Sequence, residues 1–129
     1  MVSEEKIKAA MRKAREAQEK LYFDTCTITE YREHTNPNTG LSDFSEVSVY
    51  ENLPCKLSFE SLKEAQTTGS TVKVSQITKL FISPDVEIKP GSKISVTREG
   101  KTTDYTYSGV PMVDQIHQEI VLSLFEGWV

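Results

Sequence analysis

The residues best suited to chemistry in this 129-residue sequence are His117 and the carboxylate two positions after it, Glu119. On a β-strand, side chains two residues apart point to the same face, so the imidazole and the carboxylate could touch. In hydrolases such a pair orients a general base toward a serine or cysteine nucleophile. Nothing in the surrounding sequence marks a nucleophile turn or an oxyanion site. We therefore expect His117 and Glu119 to form a structural or interface pair.

The two cysteines, Cys26 and Cys55, lie far apart in the sequence, each within a segment of alternating apolar residues. They belong to no CxxC pattern, and no ligand spacing connects them to the two histidines, His34 and His117. We expect two reduced thiols in the core, and a single disulfide between neighbouring strands is the alternative. The sequence predicts no metal and no cofactor.

Other candidate groups are equally poor in catalytic pattern. Three carboxylates could in principle serve in acid–base catalysis: Asp85, Glu87 and Asp114. Each lies beside a turn or at a strand position that faces solvent, and nothing in the sequence predicts that two of them lie close together. The stretch KPGSKI, residues 89–94, resembles the end of a phosphate-binding loop, but it lacks the first glycine and the following helix. We interpret it as a tight turn, and no enzyme is predicted.

Charge and composition limit the classes of partner. The chain is 37% hydrophobic and 26% charged, which is ordinary for a globular domain. Residues 1–20 carry six Lys or Arg and four Asp or Glu, a net charge of +2. Because the whole chain has a net charge of −4, residues 21–129 carry −6. An acidic body argues against a dedicated nucleic-acid binder, yet it would let duplex DNA pass without sticking. No membrane span and no signal peptide are predicted.

Residues 1–21 predict one amphipathic helix, with Ser3 as N-cap and Glu4 and Glu5 at the positive end of its dipole. Apolar residues recur every three or four positions and form a narrow stripe: Ile7, Ala10, Met11, Ala14, Ala17 and Leu21. This face either docks shallowly on the body or contacts another subunit, and the sequence leaves both open.

From residue 22 the pattern alternates with period two, and turn residues recur every eight to twelve positions. Residues 22–129 predict a mainly β domain, a small antiparallel β-barrel or sandwich. Residues 61–76, SLKEAQTTGSTVKVSQ, break the rhythm and predict a long mobile loop between strands. The final strand is apolar on both of its faces from Ile120 to Phe125, apart from Ser123. We therefore expect it to close the barrel and to be buried on both faces.

Several segments, taken in order, resemble the head-closure (stopper) or head–tail joining proteins of long-tailed phages and prophages of Gram-positive bacteria. These segments are LYFDTCTITEY, ENLPCKLSFES, TKLFISPDVEIKPGSKISVT and HQEIVLSLFEGW. The resemblance runs from about Tyr22 to the C-terminus. The stretches SPDVEIKPGSKI and HQEI are its most specific parts.

The resemblance implies a virion protein that assembles in the host bacterial cytoplasm. Its implied partners are the portal–adaptor complex, tail proteins, further copies of itself in a ring, and passing double-stranded DNA without sequence specificity. A barrel of this kind closes the portal channel after DNA packaging and provides the surface for tail attachment. Residues 61–76 would be the channel or gating loop, through Lys63, Thr67, Thr68, Gly69, Ser70 and Lys73. The expected subunit or adaptor contacts are Ile7, Met11, Ala14, Lys89, Pro90, His117 and Glu119.

Two alternatives stay open at this point. One is a tail-completion or tail-terminator protein. The other is a single-stranded nucleic-acid-binding barrel in which Tyr105 and Tyr107, on one strand parity, stack on bases. Few basic residues flank these tyrosines, which favours core packing over stacking.

Overall fold

The computed structural model describes residues 3–65 and 72–128, with side chains described outside 62–65 and 72–75. One helix precedes seven strands. Their bounds are α1 Glu4–Glu19, β1 Asp24–Thr35, β2 Ser42–Ala65, β3 Val72–Ile82, β4 Lys93–Arg98, β5 Lys101–Thr106, β6 Met112–Val113 and β7 Gln118–Leu124.

The strands form one antiparallel sheet that closes on itself. Its order is β3-β2-β1-β4-β5-β7-β6, and an additional pairing of β3 with β7 joins the two ends. Six strands therefore complete a ring, with the short β6 added beside β7. This confirms the predicted mainly β, barrel-like architecture with an N-terminal helix. Closure removes most of the free strand edges that would otherwise template aggregation.

β2 is 24 residues long and reaches beyond the barrel at both ends. β1 pairs with β4 only through Thr25–Thr29, so Glu30–Thr35 pair with Ser42–Val47 of β2 alone. We call this two-stranded ribbon, residues 30–47, the β1–β2 arm. At the other end, Ser61–Ala65 of β2 pair with Val72–Gln76 of β3, and we call these residues the β2–β3 arm.

The β2–β3 arm corrects the predicted loop 61–76. Ser61 pairs with Gln76 and Ala65 with Val72, so both flanks of the predicted loop belong to a hairpin ladder. Strand residues outside the barrel do not face the core, so they can be polar on both sides of the strand. The polar composition therefore does not prevent these residues from pairing as strands. The middle of the predicted loop, residues 66–71, lies outside the described residues.

The core fills the barrel with inward-facing side chains from every wall. Ile28, Leu80, Ile82, Ile94 and Ile120 are fully buried. Tyr105 and Tyr107 are also buried, at 7% and 3% exposed, and the Tyr107 hydroxyl donates to the carbonyl of Ile88. Core packing therefore replaces the base-stacking alternative for these tyrosines.

Cys26 and Cys55 are free thiols, 2% and 0% exposed. They lie on neighbouring strands, since Asp24 pairs with Cys55 and Cys26 with Leu53. A hydrogen bond with the Cys26 thiol, together with burial, raises the pKa of the Cys55 thiol. A thiol held protonated in an apolar interior is a poor nucleophile, as expected for core cysteines.

The segment SPDVEIKPGSKI departs from its predicted strand–turn–strand form, because residues 83–92 are irregular and only Lys93 onward is strand. Its alternation is nevertheless real, since Val86 and Ile88 are both buried. The buried Gln118 amide donates to the carbonyls of Ser83 and Val86, at 3.2 and 2.8 Å. A side chain thus supplies the hydrogen bonds that a partner strand would otherwise provide.

Three apolar positions are more exposed than their pattern indicates. Phe59 alternates in phase with the inward-facing Leu57 but is 49% exposed, because β2 leaves the barrel one position later. β7 closes the barrel as predicted, yet Val121 is 60% exposed and Leu124 64%. A strand apolar on both parities was expected to be buried on both faces, and that expectation is wrong here.

α1 begins at Glu4 with Ser3 as N-cap, whose hydroxyl accepts from the Lys6 amide at 3.3 Å. None of its residues is buried. No helix in the described ranges is long and apolar enough to cross a lipid bilayer.

Candidate functional site

A groove of about 980 Å³ lies along the β1–β2 arm. Lys89 and Pro90, both predicted as contact residues, form part of its wall. Gly91 makes this wall possible, since its φ of 86° suits glycine and its amide donates to the carbonyl of Tyr107. Aromatic residues form another part of the wall, from Tyr31, Phe44, Phe125 and Trp128, and polar and charged residues complete the lining.

These aromatic rings brace the arm against the chain that follows β7. Tyr31 stacks on Phe44 of the opposite strand at 5.3 Å between centroids. Trp128 also stacks on the Tyr31 ring, with 5.0 Å between centroids and 10° between planes. Phe125 contacts Trp128 edge-on, with 4.9 Å between centroids. Aromatic pairs of this geometry contribute about 0.5–1.5 kcal/mol each beyond their buried area. The last residues of the chain therefore hold the base of the arm in place.

Charged groups complete this brace. The Trp128 indole N–H and the Lys93 ammonium both donate to Oε1 of Glu46, each at 3.0 Å. The Lys93 ammonium also lies 5.5 Å from the centre of the Phe125 ring. The indole hydrogen bond first, and then the Lys93 contact, hold the pKa of Glu46 below its usual range. We call Tyr31, Phe44, Glu46, Lys93, Phe125 and Trp128 the tail brace.

His117 and Glu119 do meet, as their spacing predicts. Nε2 of His117 lies 3.4 Å from Glu119 Oε1, and Nδ1 lies 3.3 Å from Asp114 Oδ2. Backbone amides of His117 and Ile116 donate to Asp114 and lower the pKa of its carboxyl. Both ring nitrogens of His117 thus face carboxylates. The role of His117 and Glu119 as a structural or interface pair stays a prediction.

Exposed apolar side chains lie on the β6–β7 wall, which also carries His117. Val110 is 95% exposed, Met112 51% and Val121 60%. Met112 pairs with Glu119, so these residues are continuous with the His117 cluster. In the six-strand ring, β7 lies three strands from β1 in either direction. The β6–β7 wall therefore lies across the barrel from the β4-paired part of β1, and the β1–β2 arm extends past the end of that part.

The predicted helix contacts, Ile7, Met11 and Ala14, are all exposed. The helix instead meets the barrel through Arg15, whose guanidinium donates to Asp85 Oδ2 at 2.6 Å and to the Ser83 hydroxyl. The bond from Arg15 lowers the pKa of Asp85. The predicted helix contacts Ile7, Met11 and Ala14 thus lie near one another on α1. They are not part of the groove or of the His117 cluster.

The predicted channel residues fall in the β2–β3 arm or beyond its described part. Lys63 is paired with Val74, and Lys73 with Glu64, so the two lysines occupy adjacent register positions on neighbouring strands. The other four, Thr67, Thr68, Gly69 and Ser70, lie outside the described residues.

The sequence analysis missed the tail brace entirely. A signal was available in the one tryptophan of the chain, Trp128, and in the aromatic residues Tyr31 and Phe44 of two strands that form a hairpin. What the sequence lacked was the path of the chain after β7, which brings Trp128 back across the barrel to β1. Within residues 3–65 and 72–128, no cluster of three or more His, Cys, Asp or Glu is placed to hold a metal ion.

The strand pairing defines a closed antiparallel barrel with two arms. Comparison with known proteins does not assign this barrel to a family. No family model matches the chain. No curated protein matches it either. Among solved structures, the chain is similar to the phage-like element PBSX protein xkdH from Bacillus subtilis, at 12% identity and a TM-score of 0.48. The match covers 79% of this chain and 93% of that one. A similarity of this size establishes neither the fold nor the family of this chain.

Proposed function

We propose that this chain is a non-enzymatic structural component of a phage head–tail connector. In this role it assembles as a ring beneath the portal and its adaptor, closes the channel after DNA packaging, and provides the surface for tail attachment. The four sequence segments that resemble head-closure proteins support this assignment. So does the spatial arrangement of the exposed apolar residues, which carries the proposal.

A ring needs two different, complementary faces on each subunit, because its contacts are head-to-tail. The chain offers exposed apolar side chains on two separate surfaces: Leu41 and Phe44, 71% and 52% exposed, on the β1–β2 arm, and Val110, Met112 and Val121 on the β6–β7 wall. Apolar side chains that cluster on a surface mark interaction sites. Two separate apolar faces would allow one copy to contact a different neighbour through each.

In the proposed ring, the β2–β3 arm is the segment directed toward the channel. Its ladder extends from the same long β2 that carries the β1–β2 arm, so a contact on one arm is linked to the other through a continuous strand. Lys63 and Lys73 would give this arm modest positive charge beside passing DNA phosphates. Residues 21–129 as a whole carry a net charge of −6, which would keep DNA from adhering to the wall.

Co-sedimentation with the portal–adaptor complex of the encoding phage or prophage tests the proposal. We expect the wild-type chain to sediment with the complex in several copies, and Leu41→Glu or Val121→Glu to abolish multi-copy binding, since each places a charge in one apolar face. Thr102→Glu, an exposed change on β5, is the matched control and should bind like the wild type.

Mixing the two defective variants sharpens the test. Each retains one intact face, so together they should form a heterodimer that neither forms alone, while a larger ring should not appear. A wild-type chain that never joins portal–adaptor complexes would overturn the proposal. Binding to tail tubes instead of portal complexes would support a tail-terminator role.

A further inference from the structure

The exposed face of α1 carries a heptad pattern that the β-barrel does not use. Apolar residues follow alternate spacings of three and four: Ile7, Ala10, Ala14, Ala17 and, two residues past the end of the helix, Leu21. This is the a/d spacing of a coiled-coil seam. Ile7 and Leu21 remain 47% and 58% exposed, so no part of the barrel covers the ends of this seam.

The attachment of α1 to the barrel fixes which side of the seam is open. Arg15, Gln18 and Glu19 are the partly buried residues of the helix, and Arg15 makes the contact with Asp85. At 3.6 residues per turn, this docked side lies about 120° around the helix axis from the centre of the seam. The seam and the flank beyond it therefore face away from the barrel.

Charge on that outer flank is uniform. With Ile7 as position a, every g position is lysine, namely Lys6, Lys13 and Lys20. Within the described part of the chain, none of the three has a carboxylate oxygen within 4.0 Å, whereas Lys8 and Arg15 are paired with Glu4 and Glu19. Residues at g face the e or g residues of a partner helix and select it by charge.

We propose that α1 is a docking site for an acidic amphipathic helix of another protein, which packs on this seam with Glu or Asp opposite Lys6, Lys13 and Lys20. A second copy of α1 fits poorly. An antiparallel pair would set lysine against lysine, and a parallel pair would set Lys6 and Lys13 against the uncharged Met11 and Gln18. A lipid surface also fits poorly, because helices that lie on membranes present Trp, Phe and Leu, whereas three of the five seam residues are alanine. Alanine instead permits close approach of a second helix.

The proposal does not depend on the connector role, since it rests on α1 alone. The probe is a synthetic peptide of about 21 residues with Leu and Ala at a and d and Glu at e and g. A second peptide carries Lys at e and g. Binding to the full chain is measured by fluorescence anisotropy of the labelled peptides at low salt. The wild type should bind the Glu peptide and not the Lys peptide.

Paired charge reversals provide the matched control. Lys6→Glu with Lys13→Glu should weaken binding of the Glu peptide about tenfold or more and gain binding of the Lys peptide. Lys8→Glu with Arg12→Glu changes the net charge equally but lies off the seam, and should preserve the preference for the Glu peptide. Helix content of both variants is checked by circular dichroism. Ile7→Gln should weaken binding of the Glu peptide without changing the barrel.

Several outcomes would overturn the proposal. One is equal affinity of the wild type for both peptides, or no binding of either. Another is concentration-dependent self-association lost in Ile7→Gln, which would assign the seam to a second copy. A third is Ile7-dependent binding to phosphatidylserine vesicles without binding of the Glu peptide, which would assign it to a membrane surface.

Discussion

The β1–β2 arm and α1 both extend beyond the barrel, but they are held to it by different means. The arm continues two barrel strands and is braced at its base by stacked rings, with Trp128 against Tyr31 and Tyr31 against Phe44. α1 has no buried residue and meets the barrel mainly through the polar contacts of Arg15. Two aromatic rings of the arm, Tyr31 and Phe44, take part in this brace, whereas no apolar residue of the helix is buried.

This difference has a physical basis. Ring stacking and partial burial exclude water, so their stabilisation is insensitive to salt and adds over several pairs. A surface ion pair is screened by salt and loses side-chain entropy when it forms. We therefore expect the arm to behave as a rigid extension of the barrel and α1 as a weakly docked element. The following predictions test this contrast, from the largest expected effect to the smallest.

The barrel itself is the reference for both elements. Cys26 and Cys55 are buried, and the Cys55 pKa is raised, so reaction with a maleimide in the folded protein should be slowed about a thousandfold or more relative to a free thiol. Labelling followed by mass spectrometry measures this rate. In Thr102→Cys, an exposed control, only the new thiol should react promptly. Prompt labelling of the native cysteines would show that the barrel opens easily.

Trp128→Ala removes two aromatic pairs of the tail brace. The arm should open more readily by about 2 kcal/mol, or roughly thirtyfold in amide exchange of Tyr31–Thr35 and Ser42–Glu46. Hydrogen exchange measured by mass spectrometry or NMR reports this change. Phe23→Ala is the control, because Phe23 is 85% exposed and makes no ring contact among the described residues. Unchanged arm protection in Trp128→Ala would refute the brace.

Arg15→Gln removes the contacts that dock α1 while keeping a good helix former. Exchange of the α1 amides should rise only a few-fold, about the effect of a screened surface pair, and exchange of the core strands should not change. Asp85→Asn should act in the same way, and the double variant should add nothing further. Destabilisation of the barrel by Arg15→Gln would contradict weak docking.

Acid should release the tail brace through Glu46. Its folded-state pKa is lowered, so its contribution to stability is present above the ordinary glutamate pKa of about 4.3 and is lost as pH falls through the lower folded value. Fluorescence of Trp128, the one tryptophan in the sequence, should therefore change with a midpoint below about 4.3. Glu46→Gln should abolish this transition, and a transition that persists in that variant would have another source.

Much of the fold could be predicted from sequence because its signals are local. The N-cap Ser3 and the apolar repeat predict α1, and alternation predicts most of the barrel strands. Phe59 and Val121 were misjudged, because parity alone does not tell where a strand passes out of the barrel. Likewise, the buried Gln118 supports Val86 in an irregular segment, and such a side-chain substitute for a strand leaves no periodic signal.

Less of the candidate site could be predicted. The pairing of His117 with Glu119 follows from their two-residue spacing and was predicted. The tail brace depends on a contact between Trp128 and Tyr31, nearly a hundred positions apart in sequence, which local patterns do not encode. The predicted loop 61–76 was too long for a related reason, since the pairing of Ser61 with Gln76 depends on the neighbouring strand and not on composition.

The central claim is that this barrel exists to be assembled side by side around a channel. Electron microscopy of purified portal–adaptor complexes, with and without the wild-type chain, tests it most directly. The account predicts additional ring-shaped density at the channel exit, with rotational symmetry matching the complex, that is absent with Val121→Glu. Class averages of complexes unchanged by an excess of the folded wild-type chain would contradict it.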